Sequence, residues 1–444
     1  MAQTEVALAV FLLIALVASL VSRKIKTPYT TLLVLIGLVL SALPISQLAG
    51  VTNFFNGLAS GGLFVGLILP PLLFESIMSI KVSDFRAVYR PSLLLATFGV
   101  LISALVVGVV LWKVVGLPPL VSFLFAALIS PTDVATVLEI FGRASVPSRL
   151  ATLIEMESVF NDATGIALFT IVLTTASAVT LQPVQAVLDF AYILGGGVLI
   201  GLGVAWGARY LQRQVKDTIS QIVLTLVAVY GAYGLATSLG DTLWPGHPFS
   251  GLIAVAITGL FYGNTVLFNV ESKQIAQSTQ EFWKVMAFVA NAVAFFFIGV
   301  AVNISVLAGS VGPFLVAYGV VVMARITSAY PILGLTKVGG SSVPLTWMNT
   351  ASLGGMRGAL AIVLVSAVPL DSQAPVAALT FGVVMLSILL QGPLLTRYIR
   401  RSFGSQETLQ KFDTYGSMKD IEGHPAPGEA LSRDREGRRT DGIR

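Results

Sequence analysis

Two acidic segments interrupt the apolar runs of this chain. Glu157-Ser158-Val159-Phe160-Asn161-Asp162 lies inside a long apolar run, and Ser130-Pro131-Thr132-Asp133 lies in the run before it. A charged side chain at the centre of a membrane helix costs about 2.5–3.5 kcal/mol, and such residues usually mark ion or proton pathways. The two segments therefore predict a membrane protein that handles a cation or a proton.

Helical spacing groups the polar residues of the first segment into two adjacent stripes. Ser158 and Asp162 share one face of a helix. Hard cations prefer oxygen ligands, so we assign both to a cation site with Asp133 and the carbonyl or hydroxyl of Thr132. Burial and a second carboxylate favour the protonated form, whereas a bound cation favours the ionised form. Competition between cation and proton for the same oxygens predicts exchange if only one loaded state reorients.

Glu157, in the second stripe, is expected to have a structural role. We assign it to a buried ion pair with an intramembrane arginine, and Arg325 is the first choice. An uncompensated charge at this depth is expensive, whereas a pair fixes two helices together. Glu75 is a third carboxylate near membrane depth. Its sequence position fits both a direct or water-mediated place in the site and a position at the edge of a loop.

The composition places these residues in an all-α polytopic membrane protein. Hydrophobic residues form 55% of the 444 residues and charged residues 11%, whereas a soluble domain has about a quarter charged residues. The apolar runs predict about thirteen transmembrane helices. They lie at roughly 5–22, 28–43, 62–79, 91–112, 118–141, 149–178, 186–208, 218–239, 250–263, 279–302, 310–335, 344–369 and 374–396.

Basic residues orient the predicted spans. With the N-terminus outside, Lys113 is the only basic residue of an outward loop, and all other basic loop residues before the tail face inward. The positive-inside rule therefore predicts the N-terminus outside and the C-terminus in the cytoplasm of a prokaryotic inner membrane. Residues 401–444 are rich in charged residues, Gly and Pro, which predicts a disordered cytoplasmic tail. The net charge of +5 favours anionic inner-leaflet lipid and gives no reason to propose nucleic acid.

Two of the predicted spans are interrupted at corresponding positions. Thirteen spans divide into six, one and six, which makes the two sixes an inverted repeat, as in many secondary transporters. The spans at 118–141 and 344–369 then correspond. Pro131 breaks the first, and the glycines of Gly354-Gly355-Met356-Arg357-Gly358 weaken the second. Interruptions at matched positions point to a transporter's binding site. The interruptions expose helix ends that need counter-charges. We expect Asp133 to lie at a helix N-terminus and Arg357 at a helix C-terminus.

The two acidic segments and the glycine motif, together with Phe282-Trp283 and Asn291, resemble the NhaP-type sodium/proton antiporters, prokaryotic relatives of the eukaryotic Na⁺/H⁺ exchangers. The likeness covers residues 1–400. It implies a transmembrane antiporter domain with a six-helix ion-binding core, which includes spans 62–178 and 279–369. It also implies that the remaining spans form a scaffold for a homodimer, and that the two interrupted spans unwind and cross in the core.

The resemblance also implies an activity and residue roles. The activity is electroneutral one-for-one exchange of Na⁺, or Li⁺, for H⁺, without a cofactor, and it is associated with Asn161 directly before Asp162. Many relatives have proline directly after the aspartate of the first interrupted span, whereas this chain has Val134. By motif position, the likeness places Thr132, Asp133, Ser158 and Asp162 at the Na⁺ ion, Glu75 nearby through water, and Glu157 in a pair with Arg325, with Arg357 in a structural role.

Three alternative functions differ in how well they fit the sequence. A K⁺/H⁺ antiporter of the same fold is the nearest, because oxygen ligands alone do not fix the ionic radius. A cation channel is less favoured, since channels usually build selectivity from repeated rings of groups. A membrane hydrolase is disfavoured because no Ser/His or His-rich arrangement lies within the predicted spans, so we expect no enzymatic activity.

Overall fold

The computed structural model describes residues 2–25, 27–42, 64–176, 183–215, 217–267, 273–301 and 309–404. Residues 405–444, most of the predicted tail, lie outside the described residues. The helices, numbered in chain order, are α1 (Ala2–Ile25), α2 (Tyr29–Ala42), α3 (Leu69–Met78), α4 (Val82–Leu94), α5 (Val100–Val110), α6 (Pro119–Ile129), α7 (Ala135–Phe141), α8 (Ser148–Ala176), α9 (Pro183–Gln212), α10 (Thr218–Leu243), α11 (Gly251–Tyr262), α12 (Lys273–Ala301), α13 (Val311–Leu335), α14 (Leu345–Leu353), α15 (Ala359–Leu364), α16 (Leu370–Leu386) and α17 (Gly392–Phe403).

Short irregular pieces connect or extend these helices. The chain has π-helical turns at Phe64–Ile68, Leu95–Gly99, Leu111–Val115, Gly263–Leu267 and Ser387–Gln391, and a 3₁₀ turn at Val365–Ala367. After α13, strands β1 (Lys337–Val338) and β2 (Ser341–Ser342) form a small antiparallel hairpin in which Lys337 pairs with Ser342. The regular structure of the described residues is therefore almost entirely helical, as the composition predicts.

Seven helical stretches within the described residues are long and apolar enough to cross a membrane. Five shorter apolar helices accompany them. The long stretches are Val82–Val115, Ser148–Thr175, Val184–Gln212, Thr218–Leu243, Gln274–Ala301, Val311–Leu335 and Leu370–Phe403. The short ones are Ala9–Ser22, Tyr29–Ser41, Phe64–Met78, Pro119–Ile129 and Gly251–Thr265. The chain is thus a multi-pass helical membrane protein.

One predicted loop is helical in the structure. The sequence pattern begins a span at residue 91 and assigns Arg86 and Arg90 to an inward loop, but both lie on α4, which begins at Val82. The continuous stretch Val82–Val115 has 34 residues and is about 51 Å long at 1.5 Å per residue. Because the bilayer core is only about 30 Å thick, the charged first turns of α4 project beyond the apolar layer.

Helix α8 lies at the centre of the region that forms the site. It packs against α4, α6 and α11, so that its polar residues face other helices rather than lipid. Elsewhere α2 packs along α12 at very short range. A Cβ added at Gly299 would lie 2.3 Å from the Val34 carbonyl oxygen, and glycine is needed for this approach.

Candidate cation site

Two interrupted helices meet at the site. Helix α6 ends at Ile129 and α7 begins at Ala135, and Pro131 lies in the gap. Helix α14 ends at Leu353 and α15 begins at Ala359. The Asp133 amide donates a 2.8 Å hydrogen bond to the Met356 carbonyl. The two interruptions therefore lie directly against each other. The amide of one and the carbonyl of the other are both hydrogen-bonded through this contact.

The Asp133 carboxylate lies at the start of α7. Its Oδ1 accepts a 2.8 Å hydrogen bond from the Ala135 amide, an arrangement that favours a negative charge at a helix N-terminus. Gly358 stands beside it, and a Cβ added there would lie 1.9 Å from Asp133 Oδ2. The backbone of Gly358 is extended, with φ −119°, so space rather than conformation requires glycine.

The side chain of Arg357, which belongs to the second interruption, reaches the end of α6, where the first interruption begins. Its Nη1 donates to the carbonyls of Ser130 at 2.5 Å and Pro131 at 2.9 Å, which are left free where α6 ends. Its own amide donates to Ser387 Oγ at 3.0 Å, and Ser387 begins a π-helical turn. The side chain is buried, so its charge acts on the negative end of α6 in a medium of low polarity.

Helix α8 is joined to the first interruption through Thr132. Ser158 Oγ donates to the Thr132 carbonyl and Asn161 Nδ2 donates to Thr132 Oγ1, both at 2.8 Å. Gly165 permits the close approach, because a Cβ there would lie 2.0 Å from Pro131 Cγ. The carbonyl and the hydroxyl of Thr132, both predicted as possible cation ligands, therefore also accept hydrogen bonds from α8.

A cavity of about 110 Å³ brings the predicted cation-site residues together. Asp133 and Asp162 are both half-buried on its wall. Asn291 of α12, one of the residues that carry the family resemblance, also lines this space. The predicted residues that line the cavity are Glu75, Thr132, Asp133, Ser158 and Asp162.

Glu157 and Arg325 form a buried pair away from the cavity wall. Arg325 Nη1 and Nη2 donate to the two carboxylate oxygens of Glu157 at 2.5 and 2.8 Å, and both residues are at most 5% exposed. Arg325 also donates to the Ala351 carbonyl from Nε and Nη2. The pair joins α8, α13 and the end of α14. Gly355 leaves room for the guanidinium, since a Cβ there would lie 2.9 Å from Arg325 Nε.

Sequence reasoning missed Glu155 and Ser76. The Ser76 hydroxyl donates to the Glu155 carboxylate, and Glu75 is close enough to act electrostatically on Glu155. Ser76 lines the cavity. The signal was in the sequence: Glu155 precedes Asp162 by two helical turns and so lies on the stripe that carries Ser158 and Asp162.

Taken together, the fold and the cavity define a class: multi-pass helical membrane proteins in which two interrupted helices and one continuous helix enclose an intramembrane carboxylate pair. The family described as "Sodium/hydrogen exchanger, transmembrane" matches residues 11–401. The chain belongs to this family, which confirms the resemblance found in the motifs.

Individual relatives and a solved structure agree with the family. The chain is 30% identical over 399 residues to "Na(+)/H(+) antiporter NhaS2" of Synechocystis sp., covering 89% of this chain and 70% of the relative. It is 32% identical over 359 residues to "Na(+)/H(+) antiporter NhaP" of Pseudomonas aeruginosa, covering 76% and 80%. The structure of the sodium proton antiporter MjNhaP1 from Methanocaldococcus jannaschii at pH 8 matches with a TM-score of 0.72 at 24% identity, covering 89% of this chain and 98% of that one. This last likeness shows the fold.

Proposed function

We propose that this protein is a secondary antiporter that exchanges Na⁺ or Li⁺ for H⁺ across the inner membrane. The observation that carries the proposal is the cavity that Asp133 and Asp162 both line, where the two interruptions meet. Membership of the sodium/hydrogen exchanger family supports the reaction. Relatives named as Na⁺/H⁺ antiporters favour Na⁺ over the K⁺ alternative.

The environments of the two carboxylates suggest different roles. Asp133 accepts the Ala135 amide at a helix N-terminus, which favours its ionised form. Among the described residues no hydrogen bond to the Asp162 carboxylate is formed, so Asp162 is the group free to exchange a proton for a cation. The loaded site then has the same net charge in two states. In one, Na⁺ is coordinated by Asp162, Ser158, Thr132 and Asp133; in the other, Asp162 carries a proton. This equality accounts for electroneutral one-for-one exchange.

The position of Glu75 suits a second contribution. It lines the same cavity, and it lies close enough to Lys284 for the two charges to interact. A carboxylate in this place attracts a cation into the cavity and orients water around it, which fits contact through water. Four other residues then stabilise the site. Glu157 and Arg325 do so as an ion pair. Asn161 binds the hydroxyl of Thr132, and Arg357 binds the carbonyls of the first interruption.

The proposed topology has thirteen spans as six, one and six, with the N-terminus outside and the C-terminus in the cytoplasm. Helical segments overlap every predicted run, including 118–141 and 344–369, and the meeting of these two interruptions supports an inverted repeat. The ion-binding core comprises spans within 62–178 and 279–369, and residues 401–444 form a cytoplasmic tail.

The remaining spans are proposed to form the scaffold of a homodimer. The apolar windows of Val184–Gln212 and Thr218–Leu243 are each only 28% buried, against 56% for Gln274–Ala301. The first two helices therefore leave more apolar surface for lipid or a second copy than a helix of the core does.

The test is proton flux in proteoliposomes with an imposed pH gradient, on addition of Na⁺, Li⁺ or K⁺. The wild type should dissipate the gradient with Na⁺ or Li⁺, whereas Asp162→Ala should not. Asp371→Asn, an exposed carboxylate at the start of α16, is the matched control and should behave as the wild type. Dissipation by K⁺ alone would show that the substrate is K⁺ and not Na⁺, and large uncoupled currents would indicate a channel. Normal transport by Asp162→Ala would show that the proposed site is wrong.

A further inference from the structure

A basic groove lies where the first turns of α4 meet the end of α13 and the hairpin. Arg86 and Arg90 line it from α4, and Lys337 lines it from β1. The Gly339 amide donates to the Ala87 carbonyl at 3.1 Å, which fastens the hairpin to α4. The groove is thus built by two separate segments held in a fixed relation.

A fourth cation reaches the same place from the start of α8. A Cβ added at Gly339 would lie 2.6 Å from Arg149 Nη1, so the Arg149 guanidinium lies against the hairpin. Gly339 has φ +57°, a turn conformation that glycine adopts easily. The hairpin therefore brings cations from three parts of the chain to one rim.

Among the described residues, these cations have no carboxylate partners. None of Arg86, Arg90, Arg149 and Lys337 forms an ion pair within the described part of the chain, and no Asp or Glu lines the groove. Arg90 donates instead to the Tyr89 hydroxyl at 2.9 Å. A concentration of unpaired positive charge repels itself, so the groove favours an anion.

Apolar surface continues directly from the cations into the predicted membrane layer. Leu94 and Leu335 line the groove, and Leu335 is 88% exposed. Phe98, one turn further along the same helical stretch, is 56% exposed. A free phosphate would use only the charged end of this surface. A molecule with an anionic head and acyl chains would use both ends.

We propose that this groove is a binding site for an anionic phospholipid of the inner leaflet. The phosphate lies among Arg86, Arg90 and Lys337, and the acyl chains follow Leu94 and Phe98. Basic pockets on the cytoplasmic side of membrane proteins bind anionic head groups in this way. The site lies apart from the carboxylate cavity, and its existence does not depend on the ion transported.

The site has a mechanical connection to the core. Ser92 of α4 donates to the Leu153 carbonyl of α8 at 3.0 Å, and α13 carries Arg325, which pairs with Glu157 of α8. A lipid that holds α4 to the end of α13 therefore braces two helices that contact α8. Bound lipid should raise the melting temperature of the solubilised protein.

The experiment measures lipid binding to the full chain in detergent by native mass spectrometry. Phosphatidylglycerol and phosphatidylcholine are titrated separately, and sn-glycerol 3-phosphate is added as a soluble competitor. The test variant is Arg86→Gln/Arg90→Gln/Lys337→Gln. We expect wild type to bind phosphatidylglycerol preferentially, and we expect the variant to bind it about 100-fold more weakly, because each of the three basic side chains near an anionic surface contributes about fivefold.

The matched control is Lys24→Gln/Arg209→Gln/Arg213→Gln, which removes three exposed cations elsewhere on the predicted inward side. Its affinity should stay within threefold of wild type. An equal loss in both triple variants, an unchanged affinity in the groove variant, or equal binding of phosphatidylcholine would overturn the proposal. Displacement of phosphatidylglycerol by equimolar sn-glycerol 3-phosphate would make the ligand a soluble anion and would also overturn it.

Circular dichroism in detergent shows whether the groove variant is folded. If it is not, Arg86→Lys/Arg90→Lys with Lys337→Gln takes its place. This variant retains two charges but loses the forked geometry with which arginine binds phosphate. Its affinity should fall about tenfold, and wild-type affinity would refute the assigned residues.

Discussion

Gly358→Ala is the sharpest test of the site geometry, because the change adds one methyl group and no charge. The added Cβ would lie 1.9 Å from Asp133 Oδ2 and 2.5 Å from its Cβ. The backbone of Gly358 is extended, so alanine meets no conformational penalty at this position. Any effect of the substitution must come from displacement of Asp133 or of the segment that carries it.

The size of the effect follows from the contact distance. Carbon and oxygen atoms approach to about 3.3 Å in close contacts, so the Asp133 carboxylate must move by more than about 1 Å. Such a shift breaks its 2.8 Å hydrogen bond with the Ala135 amide and misplaces a cation ligand. A 1 Å misplacement of a functional group costs about 100-fold in rate, and we expect a loss of that order in Na⁺-dependent proton flux.

The assay is Na⁺-dependent dissipation of a pH gradient in proteoliposomes, over a range of Na⁺ concentrations. Gly392→Ala is the control, since its added Cβ would be 3.9 Å from the nearest atom, Met356 Sδ. The melting temperature of each variant shows whether the protein is folded. The reasoning is refuted if folded Gly358→Ala transports within about threefold of wild type at the same half-saturating Na⁺ concentration.

Three further variants test other parts of the frame. Glu157→Gln leaves Arg325 without its counter-charge and should lower the free energy of unfolding by about 3–5 kcal/mol in denaturant titrations; an equal loss in Glu157→Gln/Arg325→Met would show that the unpaired arginine is not the cause of the loss. Gly165→Ala places a Cβ 2.0 Å from Pro131 Cγ and should cost about 1–3 kcal/mol in the same titration; Gly203→Ala, with no heavy atom within 4 Å, should cost nothing. Glu155→Gln removes a negative charge near the cavity and should raise the half-saturating Na⁺ concentration in low-salt flux assays; an unchanged value would exclude an electrostatic role.

Local sequence pattern predicted the parts of the site that depend on nearby residues. The spacing of Ser158 and Asp162 fixes their common face because a helix repeats every 3.6 residues. Pro131 indicates a helix break because proline lacks an amide hydrogen. Arg325 is the predicted partner of Glu157 because an unpaired charge is costly at that depth.

Contacts between distant segments were beyond such reasoning. No local pattern shows that the Met356 carbonyl accepts the Asp133 amide, or that Ser387 accepts the Arg357 amide. The close approach of Gly358 to Asp133 likewise depends on how the two interruptions meet. The predicted span starts at residue 91 whereas α4 begins at Val82, because hydropathy marks where a helix enters the apolar layer and not where the helix begins.

The backbone bond between Asp133 and Met356, with Arg357 bound to the Ser130 and Pro131 carbonyls, ties the two interruptions into one body. Such a body can change the side it faces without changing the spacing of its own ligands. We therefore expect a cation that enters from either face of the membrane to meet the same set of oxygens. The two faces then differ in their ion concentrations and not in the ligands that the protein offers.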